Sequence, residues 1–368
     1  MSRELSIVHV VCAGEVGGAE RMLADLAAGP GARHAVALFT PSPALRSFFR
    51  DRGLRVIDRG PVSEALPSFL ARTLGRAEVG WLAGVMRAER ADVAHLHTFG
   101  SQVLGTRAAL AAGIPVVRTE HSTRVYDDPS CWPFSRWSLS RTRISCAVSA
   151  HVRQVALARA PALASSMRVV ANGVDLSRIT VDPLPQEPPF RFVITGRLEP
   201  RKGVDRALLA LAHVPEAELL VVGDGASRPG LEALARSLGL SPRVRFLGHV
   251  QAPTLAIREA HAALSASRKE GLGLALLEAM AQGRPVVAAP TGGIPEFVTS
   301  GQTGWLAEDD SPRSLALAMR TARNATLATL VRLGARARSV VEKRYSQKAM
   351  RDGYQDAYRA AVELGPIP

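Results

Sequence analysis

The sequence predicts an α/β fold made of two parallel-sheet domains. Strand-like apolar runs alternate with longer helical patterns along the whole chain, and one proline-rich break interrupts that alternation near the middle. In the first half the runs are Ile7–Cys12, Ala35–Phe39, Arg55–Ile57, Val93–His97, Val116–Thr119, Cys146–Val148 and Arg168–Val170. They are short and mostly apolar, as strands covered on both faces must be. Helical patterns lie between them, such as Ala19–Ala28 and Gln102–Ala112. The second half repeats the style with strands Phe192–Thr195, Glu218–Val222, Val244–Leu247, Ala263–Ser265 and Val286–Ala289. Its helices include Val204–Ala212, Arg228–Leu238 and Leu274–Gln282.

The break is Asp182-Pro-Leu-Pro-Gln-Glu-Pro-Pro189, which has linker composition and no periodicity. It sets the expected domains at 1–181 and 190–344, Rossmann-like and facing each other, with a terminal amphipathic helix over 345–368. A length of 368 residues fits two cores better than one. With 47% hydrophobic and 21% charged residues, disorder is excluded. The three cysteines, Cys12, Cys131 and Cys146, are scattered and form no Cys-x-x-Cys pair. A reducing compartment therefore fits better than a disulfide framework. The first run, Leu5–Cys12, is short and contains His9, which reads as a buried strand and not a signal peptide. No run approaches the length of a membrane span.

The net charge of +13 favours phosphorylated ligands, an anionic membrane face or nucleic acid. No aromatic–basic interleaving or recognised motif supports nucleic acid, and none is expected as a partner. Two aromatic–basic clusters predict reversible contact with anionic membrane. One joins Arg72 and Arg76 to Trp81, Arg87 and Arg90; the other joins Trp132, Phe134, Arg136, Trp137, Arg141 and Arg143.

The segment richest in chemistry runs from Ser267 to Gly283. A strand ends near Ser265, a glycine-bearing loop follows, and a helix begins near Leu274. Open α/β sheets bind ligands in this crevice, at the carboxyl ends of their strands. Gly271 and Gly273 let backbone amides approach an anion, and the helix N-terminus behind them adds about half a positive charge. Glu270 precedes that loop, and Glu278 lies one turn into the helix. Neither carboxylate suits a phosphate; each can accept hydrogen bonds from sugar or ribose hydroxyls.

A second element, Thr195-Gly-Arg-Leu-Glu-Pro-Arg-Lys-Gly203, follows the first strand of the second half. Arg197 and Lys202 would project toward the same crevice, and two cations there suit a diphosphate. A third, Gly14-Glu-Val-Gly-Gly-Ala-Glu20, could cradle phosphates from the first domain but lacks G-x-G-x-x-G spacing, which disfavours a dinucleotide. His121 stands just past a strand and could donate to a sugar or phosphate. His95 and His97 share a strand face, but no third metal ligand has convincing spacing, and no Asp-x-Asp occurs. No metal and no cofactor are therefore expected.

Taken together, these segments resemble the family 4 retaining glycosyltransferases of GT-B fold. The motifs fall in the family's order: Gly17-Gly18-Ala19-Glu20, Glu120-His121, Val148-Ser149, Asn172-Gly173-Val174-Asp175, Gly196-Arg197 with Lys202-Gly203, and Val222-Gly223-Asp224-Gly225. Val244–Gly248, Glu270-Gly271 through Glu278, and Thr291-Gly292-Gly293 complete the series. The resemblance implies a nucleotide-sugar donor, UDP before GDP, and a glycan, lipid-linked or other hydroxyl acceptor. It implies that Arg197 and Lys202 bind the diphosphate and that Glu278 binds the ribose. Glu270, with the backbone of Gly271, Leu272, Gly273 and Leu274, would hold the sugar. Gly17, Gly18 and His121 would complete the site. Leu272 stands where the family often has a bulkier residue, and 126–143 is expected to meet the acceptor. The competing readings are a nucleotide-sugar epimerase of the same architecture, a basic non-enzymatic anion binder and a catalytically dead scaffold. A cytoplasmic location, peripheral on the inner membrane face, completes the expectation.

Overall fold

The computed structural model describes residues 3–12, 16–39, 42–60, 75–97, 99–250 and 252–367. The chain forms two compact units: Met1–Gly173 together with Gln347–Pro368, and Val174–Ser346.

The described residues of the first unit build a parallel sheet from β1 (Leu5–Val11), β2 (Ala32–Leu38), β3 (Arg55–Asp58), β4 (Val93–Leu96), β5 (Val116–Glu120), β6 (Ile144–Ala147) and β7 (Met167–Val169), in the order β3-β2-β1-β4-β5-β6-β7. Chain direction across the sheet reverses between β1 and β4, which pair in parallel with His9 opposite His95. The helix Gln347–Leu364 returns to this unit. It buries Met350, Tyr354, Ala357, Tyr358 and Ala361, four of them at consecutive 3- or 4-residue steps, against Ile7, Val93, Val117, Ile144 and Cys146 of the sheet.

The second unit holds β8 (Phe190–Thr195), β9 (Ala217–Val222), β10 (Val244–Gly248), β11 (Ala262–Ser265), β12 (Val286–Ala288) and β13 (Gly304–Leu306), ordered β10-β9-β8-β11-β12-β13. All its strand ladders are parallel, and the reversal lies between β8 and β11. The apolar faces of β8, β9 and β11 meet those of the helices Val204–Leu211 and Pro312–Arg323 in one core.

The structure differs from the sequence reading in three places. The proline-rich segment lies inside the second unit, where the fully buried guanidinium of Arg284 donates to the carbonyls of Asp182 (2.8 Å) and Pro183 (3.2 Å). Proline lacks an N–H but keeps its acceptor, so such a segment can be tied down through its carbonyls. Tyr345 precedes the terminal helix, which starts at Gln347, and packs edge-on to Phe297 of the second unit. Strand β13 is only three residues long and leaves no periodic signal.

Candidate active site

The loops after β8 and β11 leave neighbouring strands at the point where the strand order reverses, which is where open α/β sheets take ligands. Two glycines draw the loops together, Gly203 joining the β8 loop to the β11 loop and Gly292 joining the loop after β12 to the β11 loop. Gly203 sits at φ 65°, and a Cβ there would fall 1.9 Å from the carbonyl oxygen of Ala266. Gly292, at φ 60°, would place a Cβ 1.8 Å from the carbonyl oxygen of Glu270. Arg268 staples the loops further: its amide donates to Arg201 O at 2.8 Å, and its guanidinium grips both oxygens of Asp205 at 2.7 and 2.6 Å.

This frame brings Lys202 and Glu270 together, with Lys202 Nζ donating to Glu270 Oε2 at 2.7 Å. Their side chains are only 19% and 13% exposed. Ser267 Oγ also reaches that oxygen, at 3.4 Å. One of three ammonium protons is thus committed to Glu270, and two can serve a ligand. Arg197 is exposed and pairs with Glu199 at 3.0 Å. A surface pair of this kind is worth about 0–1 kcal/mol, so Arg197 can turn to a phosphate at little cost. Between the loops lies a recess lined by Thr195, Lys202, Ser265, Ser267, Glu270 and Gly273, of about 20 Å³, room for a single water. A larger ligand must lie over the loops.

Gly273 caps the helix Leu274–Ala281 in the left-handed region at φ 103°. The first amides of that helix have no intrahelical acceptor and carry the positive end of its dipole. Leu272 is 3% exposed, so its backbone, not its side chain, is what it can offer. Gly271 and Leu274 flank it half-buried, and Glu278 is half-buried on the helix itself.

In the first unit, Gly17 caps the helix Gly18–Ala27, and its amide is taken by Glu20 Oε2 at 2.9 Å. Of the two glycines, Gly18 keeps an open approach, with nothing within 4 Å of where a Cβ would stand. Gly14 lies outside the described residues. His121 follows β5 directly, and its Nε2 is buried without a partner. Burial pushes its pKa down to about 4, so the ring is neutral at pH 7.

Beside His121 stands a histidine column that spacing alone did not reveal. His9 of β1 joins His95 and His97, and the three offer nitrogens within 4.8 Å of one another. His9 bonds His97 Nε2 at 2.9 Å and His34 Nδ1 at 2.8 Å; His95 bonds Tyr358 Oη and Thr119 Oγ1, both at 2.8 Å. Both nitrogens of His9 and of His95 are thus occupied by hydrogen bonds, which account for the column without an ion. The missing signal was the parallel β1–β4 register, invisible to residue spacing.

The region 126–143 contains the helix Trp132–Leu139. The fully buried Arg118 anchors it by donating to Ser135 O (3.2 Å) and Ser135 Oγ (2.6 Å), and pairs with Glu120. Phe134 is 47% exposed, and the Arg141 guanidinium stacks 4.8 Å over Trp137. Arg143 donates to the carbonyls of Gly365 and Pro366. In the other basic cluster Trp81 packs into the core of the first unit, and Arg72 lies outside the described residues. No helix among the described residues is long and apolar enough to cross a membrane.

Comparison with known proteins agrees with this layout. Residues 16–178 match the model for Glycosyltransferase Family 4, and residues 178–340 match that for Glycosyl transferases group 1. The D-inositol 3-phosphate glycosyltransferase of Xylanimonas cellulosilytica is 32% identical over 317 residues, 78% of this chain and 70% of that protein. The glycogen synthase of Mycobacterium tuberculosis is 31% identical over 257 residues, 65% of this chain. The chain spans about three fifths of that synthase, 61%. Among solved structures, Anabaena HepE in complex with UDP matches with a TM-score of 0.85 at 23% identity, covering 97% of this chain and 100% of that one. Sucrose-phosphate synthase from Thermosynechococcus elongatus matches with 0.82 at 21%, covering 98% and 100%. These structural likenesses are likenesses of fold, and that fold is GT-B. With two Rossmann-like units in sequence order and both halves matched, the chain belongs to glycosyltransferase family 4.

Proposed function

We propose that this protein is a retaining glycosyltransferase that takes a sugar from a nucleoside diphosphate donor, UDP before GDP, and passes it to a glycan, lipid-linked or other hydroxyl acceptor. The observation that carries the reading is the Lys202–Glu270 pair, held by glycine-dependent packing at the strand-order reversal of the second unit. A cation there offsets a diphosphate, and a carboxylate beside it accepts from sugar hydroxyls. Lys202, Arg197 and the helix N-terminus at Leu274 stabilise the charge that develops on the leaving phosphate. That phosphate takes the acceptor proton as the sugar departs and is attacked on one face, so the anomeric configuration is kept. Glu278 holds the ribose, and His121 with Gly18 supplies donors from the first unit. Known binding of UDP by Anabaena HepE, a structural neighbour, supports the choice of base. No Asp-x-Asp occurs in the sequence, and we assign the reaction no metal. The protein works in the cytoplasm, and the exposed Phe134 with Arg136 and Arg141 gives it a peripheral contact with anionic membrane; equal flotation with anionic and neutral liposomes would remove that contact.

Calorimetric titration with UDP and GDP, followed by assay of UDP release on adding candidate acceptors, tests the reading. UDP is expected to bind more tightly than GDP, and Lys202→Ala to weaken it. Absence of binding by either nucleotide overturns the assignment, and turnover lost in EDTA and restored by Mn²⁺ overturns the metal-free mechanism.

A further inference from the structure

The histidine column has no part in the chemistry above. His34 on β2 is half-buried, whereas His9 and His97 are 0% and 3% exposed. The chain of contacts runs His34 Nδ1 to His9 Nε2, then His9 Nδ1 to His97 Nε2. Burial holds all three pKa values below the ordinary range, so the rings are neutral at pH 7. A neutral imidazole has one N–H and one lone-pair nitrogen. Three rings bonded in this way have only two consistent proton orders. Either every N–H points toward His97, or every N–H points toward His34. The first order leaves His97 Nδ1 protonated; the second leaves it a lone pair.

That nitrogen, His97 Nδ1, is buried without a partner. The ring stacked beside it, 5.8 Å away between centroids, is His121, whose Nε2 is also buried without a partner. Buried polar atoms are nearly always satisfied, and two exceptions on adjacent rings need a reason. Both rings stand at the carboxyl ends of β4 and β5, the edge where parallel sheets take ligands.

We infer that His97 is a second contact, beside His121, for a ligand oxygen, and that His9 and His34 are positioning residues that fix the tautomer His97 presents. The inference rests on the donor reading above. A phosphate oxygen or a hydroxyl lone pair requires N–H at His97 Nδ1. It therefore selects the order in which His34 and His9 both carry their protons on Nδ1. His9 and His34 need no contact with the ligand to have this effect.

Imidazole ¹⁵N NMR of the full chain tests it. In the ligand-free protein His9 and His97 are each expected in one tautomer, of matching sense. UDP alone should shift His97 Nδ1 if its partner is a phosphate oxygen; only UDP-glucose should do so if the partner is a sugar hydroxyl. His9→Phe removes the link, and His34→Ala removes only its outer ring should the first variant fold poorly. In either, His97 should become a mixture of tautomers. Turnover should fall about tenfold, roughly one net hydrogen bond, with KM for the donor little changed. A His97 tautomer unaffected by both substitutions overturns the positioning role. Calorimetric binding of UDP-glucose with no change at His97 overturns the contact. Failure of both nucleotides to bind would instead strike the donor reading, because the ligand-free tautomers are measured independently of it.

Discussion

Two carboxylates in one short segment carry different tasks in this proposal, and single residues can separate them. Glu270 shares its oxygen with Lys202 at 2.7 Å, whereas Glu278 lies a full turn inside the helix whose N-terminus we propose for the phosphates. Losing one partner of a charge-assisted hydrogen bond costs about 1.5–3 kcal/mol, roughly ten- to a hundredfold in affinity. Glu278→Ala should therefore weaken bare UDP and the full donor alike. Glu270→Gln should weaken the full donor and cut turnover. It should leave bare UDP as tight as before or tighter, because Lys202 loses its competing carboxylate. Calorimetry of both folded variants with UDP and UDP-glucose decides the matter, and equal loss of bare UDP in the two would end the division of labour.

The loops that carry these residues depend on backbone approach more than on side-chain packing. Gly203→Ala would press a methyl to 1.9 Å from the Ala266 carbonyl while holding a left-handed backbone. The strained backbone alone costs about 1–3 kcal/mol, and the loops must also part. A lower urea midpoint for this variant, with weakened UDP binding, is expected; an unchanged midpoint would show that the loops yield freely. The sequence made this pair of elements legible, since glycines and cations just past two apolar runs are a local signal. The strand series was legible for the same reason. What stayed hidden depends on partners distant in sequence. His95 and His97 announced a shared face, but His9 and His34 joined them only through the β1–β2 and β1–β4 registers. Prolines marked a linker at 182–189, yet the Arg284 guanidinium, donating to the carbonyls of Asp182 and Pro183, holds the segment's start within the second unit. Gly17 looked like a phosphate cradle, but its amide already serves Glu20, three residues on.

At the scale of the whole molecule, buried neutral histidines should make stability depend on pH in a defined direction. Burial lowers His34, His121 and His261 to about 4 from 6.5, and holds His9, His95 and His97 well below their ordinary value. A lowered folded-state value means that between pH 6.5 and 4 the unfolded chain binds more protons than the folded one. Stability must then rise with pH across that window and fall as the solution is acidified. Each ring neutral in the fold and charged in the unfolded chain contributes up to about 1.4 kcal/mol per pH unit there. Five of these six rings belong to the first unit and only His261 to the second. If the units melt separately, the transition of the first should therefore move more. Exposed carboxylates held low by their partners, such as Asp224 and Asp309, lose their stabilising charge mainly below about pH 4. Thermal midpoints taken between pH 7 and 5 thus report mainly the histidines. A steady fall through that interval is expected in the wild type, with a shallower fall in His34→Gln, which removes one titrating ring but keeps a hydrogen-bonding side chain. Midpoints that stay flat from pH 7 to 5 would mean that these rings are as easily protonated in the fold as in water, and the neutral column would have to be abandoned.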